Sequence, residues 1–246
     1  MTFANCYEDV ARAQAYATLE FKNTYHLAYR DIPAILAAHV RGRKSLDFGC
    51  GAGRSTRFLR QLGFEVTGVD IAEDMIRQAR ALDPSGDYRL IRGNDASGDD
   101  LSVFSSTTYD LVFAAFTFDN IAGHDNKVRI LRDLARLLNP KGRLVMIVSR
   151  PEIYTHEWAS FSTRDFPEIR QARSGDTVRI IVTDHADRRP VEDILWTDGA
   201  YREVFQDAKL QMLEKYEPLG RPDEAYAWVN EVEIAPWAVY VLGASM

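Results

Sequence analysis

Cysteine is nearly missing from this chain: Cys6 and Cys50 are the only two in 246 residues. Two cysteines cannot make a disulfide framework, and with five dispersed histidines they make no zinc constellation. Positive charge is also in short supply, with 30 Lys and Arg against 36 Asp and Glu and a net charge of −6. That balance argues against a broad nucleic-acid footprint, which needs a basic face. No uncharged apolar run is long enough to span a bilayer, and no charged-then-apolar leader opens the chain. The expectation is a cytoplasmic protein with reduced thiols and no membrane partner. Internal repeats and low-complexity tracts are absent too. What is present, 46% hydrophobic and 27% charged residues, is the composition of a globular chain that buries a large core without staples.

The apolar pattern alternates between two periods. Short apolar runs centre on Leu46, Val66, Leu90, Val112 and Val145, and helical periodicity fills 54–62, 73–82 and 126–138, with a short helix possible near 99–104. Strands alternating with helices predict right-handed crossovers and a doubly wound, mostly parallel sheet. Asn139-Pro140-Lys141-Gly142 reads as a turn between the long helix and the fifth strand. Residues 7–41 read as two helices separated near Asn23-Thr24, with Pro33 in a first turn. The rhythm breaks at 150–196. There Thr177–Thr183 alternates like a half-exposed strand, with 191–196 as its partner across 185–190. Thr197 or Asp198 can cap a helix reaching Lys209, and 211–216 and 237–242 supply two more strands.

The chemistry concentrates at Asp47-Phe48-Gly49-Cys50-Gly51-Ala52-Gly53-Arg54, between the first strand and a helix start. Glycines at alternate positions allow positive φ and close approach of backbone to a ligand. Asp70 ends the next strand, where a carboxylate suits a ribose diol. A dinucleotide-binding loop, G-x-G-x-x-G, would need glycine at position 54, where this chain has Arg54. A pyrophosphate also disfavours a carboxylate at the turn, so Asp47 suits a ligand with a cationic group such as an amino-acid ammonium.

At these residues the chain resembles the class I S-adenosylmethionine-dependent methyltransferases, whose first motif is Asp/Glu-x-Gly-x-Gly-x-Gly. The resemblance implies a Rossmann-like methyltransferase fold of seven strands, with S-adenosylmethionine as cofactor and S-adenosylhomocysteine as product. It implies cofactor contacts from Asp47, Gly49, Gly51 and Gly53, from the ribose-binding Asp70, and from Ile71 and Met75 flanking the adenine. Asn94, Asp95 and Ala96 match the third-strand motif, with Asp95 toward the adenine amine, and Ala114 belongs to the fourth strand. In that family the last two strands complete the sheet as a hairpin. The chain therefore divides as one domain, 1–246: an N-terminal helical cap (1–42), a cofactor-binding core (43–149), an inserted substrate cap (150–196), and a final helix with strands (197–246).

Ligands of open α/β sheets sit at the carboxyl ends of the strands. The acceptor pocket is thus expected from Tyr16, Tyr25, Phe116, Phe118, Asp119, Tyr154 and Trp158, with Phe21, Tyr29, Asn120, Ser149, Arg150 and Phe161 nearby. Methyl transfer from a sulfonium is an in-line displacement, and positioning supplies much of its rate. Asp119 and His156 are the candidates if a proton must be removed. No metal is expected. Asp119-Asn120 lacks the second acidic cluster of Mg-dependent relatives, and Arg150 stands in its place. The fourth-strand end also lacks the Asp/Asn-Pro-Pro-Tyr of amino-methyltransferases acting on DNA. The expected acceptor is a small, planar aromatic or heteroaromatic metabolite methylated on nitrogen or oxygen. An NAD-dependent oxidoreductase and a non-catalytic cofactor-binding protein are the alternatives. No sequence feature sets an oligomeric state.

Overall fold

In the computed structural model, residues 21–91, 101, 104, 107–184 and 186–244 are described. Two short helices open this part, α1 (Thr24–Arg30) and α2 (Ile32–His39), parted at Asp31, with Pro33 in the first turn of α2 where its missing N–H costs nothing. The core then alternates: β1 (Lys44–Phe48), α3 (Arg54–Gln61), β2 (Glu65–Asp70), α4 (Glu73–Leu82), β3 (Asp87–Leu90), β4 (Tyr109–Ala115), α5 (His124–Arg136) and β5 (Leu138–Ser149). After it come β6 (Phe161–Ser162), β7 (Thr177–Val182), β8 (Val191–Ile194), α6 (Asp198–Asp207), β9 (Leu210–Tyr216) and β10 (Trp237–Ala244). Thr197 caps α6, its Oγ1 accepting from the Ala200 N–H at 3.3 Å.

The main sheet has the order β3-β2-β1-β4-β5-β10-β9. Its pairs from β3 to β5 are parallel, and β10 runs antiparallel to both β5 and β9. This is the mostly parallel seven-stranded sheet expected. Strands β1, β4 and β5 are buried on both faces because helices cover both sides, so they read as apolar runs rather than alternations. One face, with Leu111, Phe113, Val145, Ile147 and Val239, packs against α1, α2 and the 150–196 segment. The other, with Leu46, Val112, Leu144, Met146 and Tyr240, packs against α5 and α6. The apolar stripe of α5 runs through Val128, Leu131 and Leu134, and it begins on a lysine, Lys127.

Two readings change. The turn expected at 139–142 lies inside β5 as an irregularity, because the register slips between Tyr109 and Leu111. The Asn139 side chain still accepts the Lys141 N–H at 2.9 Å, so the turn chemistry survives as a local bulge. The helix expected after Asn23-Thr24 is two helices, since the residue before Ile32-Pro33 leaves the first one. The first expected helix, near 7–20, and most of 99–104 lie outside the described residues.

Strands β6, β7 and β8 form a separate antiparallel sheet of three. On β7 the buried residues alternate as Val178, Ile180 and Val182, so one face turns inward. None of the described helices is long and apolar enough to cross a membrane.

Candidate functional site

The turn after β1 carries three glycines in the left-handed region: Gly49 at φ 72°, Gly51 at 53° and Gly53 at 81°. Their surroundings differ. A Cβ on Gly49 would lie 2.2 Å from Thr117 Oγ1, and one on Gly53 would lie 2.7 Å from the Tyr88 hydroxyl. A Cβ on Gly51 would meet nothing within 4 Å. Two glycines therefore let the loop pack, and the third lets it stand open.

Gly51 faces a cavity of about 680 Å³ at the carboxyl ends of the parallel strands. Asp70 lines it, at the end of β2. Its Oδ2 accepts the Gly51 N–H and its Oδ1 the Ala72 N–H, both at 2.8 Å. Burial raises its pKa against the pull of these backbone donors. Ile71 lines the same wall with 53% of its surface exposed, next to the buried Met75. An exposed isoleucine beside a carboxylate and an open glycine cradle is a surface shaped for the flat face and ribose of an adenosine. These residues fit the cofactor.

Asp47 stands differently from its expected role. It is fully buried and does not line the cavity. Its Oδ2 accepts the hydroxyls of Ser55 and Thr56 at 2.7 and 2.6 Å, which ties the loop to the first turn of α3. Burial pushes its pKa up to about 6, and the two hydroxyls draw it down. Gly53 likewise packs on Tyr88 and lies off the cavity wall. Ala114 points to the α5 face, because side chains alternate along β4, and Ala115 takes the cavity side. Asn94, Asp95 and Ala96 lie outside the described residues, as does Tyr16.

Among the acceptor candidates, Tyr25, Phe116, Asp119 and Tyr154 line the cavity. Phe116 is held at φ 63°, unusual for a side chain this large, at the end of β4. Tyr25, Phe116, Phe161 and Trp237 form one aromatic cluster. Phe116 and Trp237 have ring centroids 4.8 Å apart, Tyr25 and Phe161 5.1 Å, and Tyr25 stacks on Trp237 at 5.9 Å. Phe118 is turned away, buried with Phe48 on the α5 face. Trp158 is a core residue whose Nε1 donates to the Ile153 carbonyl at 2.8 Å, and it does not line the cavity. His156 is also off the wall, its Nδ1 lying 3.0 Å from Thr155 Oγ1 and 3.1 Å from the Glu152 carbonyl oxygen. Phe21, Tyr25 and Tyr29, expected in or near the acceptor pocket, surround the chain's own Arg54 at 5.3, 4.8 and 5.7 Å from the ring centroids.

Three residues of the site were not anticipated. Trp237 opens β10 opposite Ser149, the last residue of β5, and that register brings it to the carboxyl edge. Asp193, on β8, lines the cavity and accepts the Tyr154 hydroxyl at 3.0 Å. Lys127 is fully buried with its Nζ donating to the Phe118 carbonyl. Only the lysine left a signal, a charge on the apolar stripe of a helix. Asp119 accepts the Ser149 N–H on both oxygens, at 3.2 and 3.0 Å. Burial raises the pKa of Asp119 and lowers that of Lys127.

Burial, then the charge of Asp119, pushes Asp193 up to about 8. The folded protein thus keeps a proton that the unfolded chain releases above its ordinary range near pH 4. The associated stability is complete below that range and is lost as pH climbs through about 8. Urea unfolding of the wild type should therefore weaken from about pH 5 to about pH 8, and Asp193→Asn should flatten that slope by an amount on the order of 2 kcal/mol. Equal slopes in both proteins would refute the assignment.

Residues 46–146 match the family model described as a methyltransferase domain. A demethylmenaquinone methyltransferase of Tropheryma whipplei is 32% identical over 138 residues, 54% of each chain. A ubiquinone biosynthesis O-methyltransferase of Xanthomonas oryzae is 31% identical over 111 residues, 44% of this chain and 43% of the relative. The chain thus spans about half the length of the curated relatives it matches. In fold it is similar to a solved S-adenosylmethionine-dependent methyltransferase from Clostridium acetobutylicum, with a TM-score of 0.62 at 14% identity, covering 98% of this chain and 100% of that one. With its seven-stranded sheet, its glycine loop and the segment 46–146 that matches a methyltransferase domain, the chain has the fold of the class I S-adenosylmethionine-dependent methyltransferases.

Proposed function

We propose that this protein transfers a methyl group from S-adenosylmethionine to a small acceptor with a planar aromatic or heteroaromatic body, on nitrogen or oxygen. The observation that carries this reading is one continuous cavity. It holds Gly51, Asp70, Ile71 and Met75 along one part of its wall and Tyr25, Phe116, Phe161 and Trp237 along another. Asp70 would hold the ribose diol, Ile71 and Met75 the adenine, and the backbone of Gly49–Gly51 the amino-acid end. The cofactor, when bound, supplies an electrophilic methyl group on sulfur. The protein's own work is positioning: the aromatic cluster sets the plane of the acceptor, and the inner face of β7, through Ile180 and Val182, keeps water out. Asp119 stands on the cavity wall as the residue able to receive a proton, whereas His156 does not reach it. The names of the two relatives, for demethylmenaquinone and for O-methylation in ubiquinone biosynthesis, agree with a ring-bodied acceptor. The acidic balance favours such a molecule over nucleic acid.

Calorimetric titration of S-adenosylhomocysteine, with NAD as control, tests the cofactor half. Micromolar binding of the former alone is expected. Asp70→Asn, which keeps the shape but not the charge or both acceptors, should weaken it by roughly tenfold to hundredfold. Binding of NAD alone would return the chain to the oxidoreductases.

A further inference from the structure

Two carboxylates from different parts of the chain meet in the acceptor end of this cavity. Asp119 follows β4 and is 3% exposed, and Asp193 comes from β8 of the three-stranded sheet. Among the described residues the hydrogen bond to Asp193 is the one from Tyr154, on Oδ2 at 3.0 Å, which leaves Oδ1 available. On the same wall Asn120 Oδ1 is buried and has no partner among the described residues. A half-buried carboxylate oxygen and a buried amide oxygen, both without donors on one cavity wall, mark a place where a ligand brings the donors.

The sign of the missing group follows from the charges. The cation acting on both carboxylates is Lys127, buried 4.9 Å from the ring centroid of Trp196 and 5.5 Å from that of Tyr201. Two carboxylates facing one ammonium leave the cluster one positive charge short. In the ligand-free protein a proton on Asp193 makes up the difference, since burial and Asp119 hold it there. Arg54 and Arg129 also line the cavity, but the charges acting on Asp193 are those of Asp119 and Lys127. An anionic ligand group would add a third negative charge to an apolar wall. A neutral one would leave Asp193 holding its proton, whereas a cation can take the proton's place.

We infer that the acceptor carries a protonated amine on its ring body, that the ammonium binds between Asp193 and Asp119, and that Asp193 is the residue that selects it. This rests on the small-molecule reading above and narrows it to a basic acceptor. The aromatic cluster fits the same ligand, because ring faces favour a neighbouring cation and stack on a planar body. Tyr154 fixes the Asp193 carboxylate so that it need not reorganise on binding.

The test uses benzylamine, benzyl alcohol and benzoate as probes, read by saturation-transfer NMR and calorimetry with S-adenosylhomocysteine at saturation. Benzylamine should bind at least about tenfold more tightly than benzyl alcohol, with benzoate the weakest of the three. Asp193→Asn should erase the preference by weakening benzylamine about tenfold while leaving benzyl alcohol unchanged. Retained S-adenosylhomocysteine affinity shows that the variant is folded. Benzoate binding as well as benzylamine, no benzylamine binding at all, or an amine preference that survives Asp193→Asn would each overturn the inference. The wild-type comparison decides even if the variant fails to fold. Failure of S-adenosylhomocysteine to bind the wild type is a separate result, and it removes the cofactor reading instead.

Discussion

Gly51→Val should reduce S-adenosylhomocysteine affinity by more than about a hundredfold while the protein stays folded. Among the loop glycines, Gly51 is the one whose added Cβ meets no atom within 4 Å, so the branched side chain projects into the cavity rather than into the protein. Its φ of 53° adds strain, since the left-handed region costs an L residue about 1–2 kcal/mol and a β-branched one more. The strain lowers the melting temperature by a few degrees, on the order of 2–4 °C per kcal/mol for a chain of this size. The main loss is steric. The valine also strains the backbone whose N–H engages Asp70, which couples the loop to the end of β2. Gly49→Ala is the contrasting variant: its Cβ collides with Thr117, so it should lose stability before it loses affinity. Calorimetry paired with thermal unfolding separates the two. An unchanged affinity in Gly51→Val would mean that the ligand does not use this loop.

The second large effect is expected far from the cofactor. Glu231 is fully buried. Its Oε1 accepts the Thr24 hydroxyl at 2.6 Å and the Ala159 N–H at 2.7 Å, and its Oε2 accepts the N–H groups of Val229 and Asn230 at 2.8 and 3.1 Å. One carboxylate thereby joins the start of α1, the segment before β6 and the loop before β10. Charge-assisted hydrogen bonds are the strong ones, and a donor set left facing another donor costs the full desolvation penalty. Glu231→Gln exchanges an acceptor oxygen for an NH₂ group against N–H and O–H donors. It should destabilise the protein by about 3 kcal/mol, which corresponds to a fall of roughly 6–12 °C in melting temperature. Because Thr24 also accepts the Trp237 indole N–H at 2.9 Å, the variant should loosen the aromatic cluster and weaken acceptor binding more than cofactor binding. A melting temperature within about 1 °C of wild type would show that these bonds do not hold the cap to the core.

Legibility in this chain follows distance along the backbone. The glycine loop and the place of Asp70 at the end of β2 could be read directly because strand, turn and helix start are set by adjacent residues. The same was true of the α6 cap at Thr197 and of the β7–β8 hairpin. The errors cluster where a face had to be chosen. Phe116 and Phe118 are two residues apart, yet the left-handed Phe116 and the 3-10 turn after it send the first to the cavity and the second to the α5 side. Ala114 and Ala115 differ by one step of the strand alternation, and that step reverses their roles. Asp47 reads as a ligand contact from its spacing, but Ser55 and Thr56, one turn into α3, claim its carboxylate.

By itself the sequence determined the alternating α/β core, the position of the glycine loop and the acid that ends β2, because each rests on local periodicity, on the conformational freedom of glycine or on a strand end. Tertiary structure alone decided the aromatic and acidic end of the cavity. Tyr25, Phe116, Phe161, Asp193 and Trp237 come from five separate segments, and Trp237 lies 213 residues from the Thr24 carbonyl to which it donates. No local pattern encodes such a meeting. It arises when the antiparallel β10 is inserted beside β5 and the three-stranded sheet folds its apolar face over the strand ends, and only then do the buried Asp119, the half-buried Asp193 and the buried Lys127 come to share one wall and its neighbourhood.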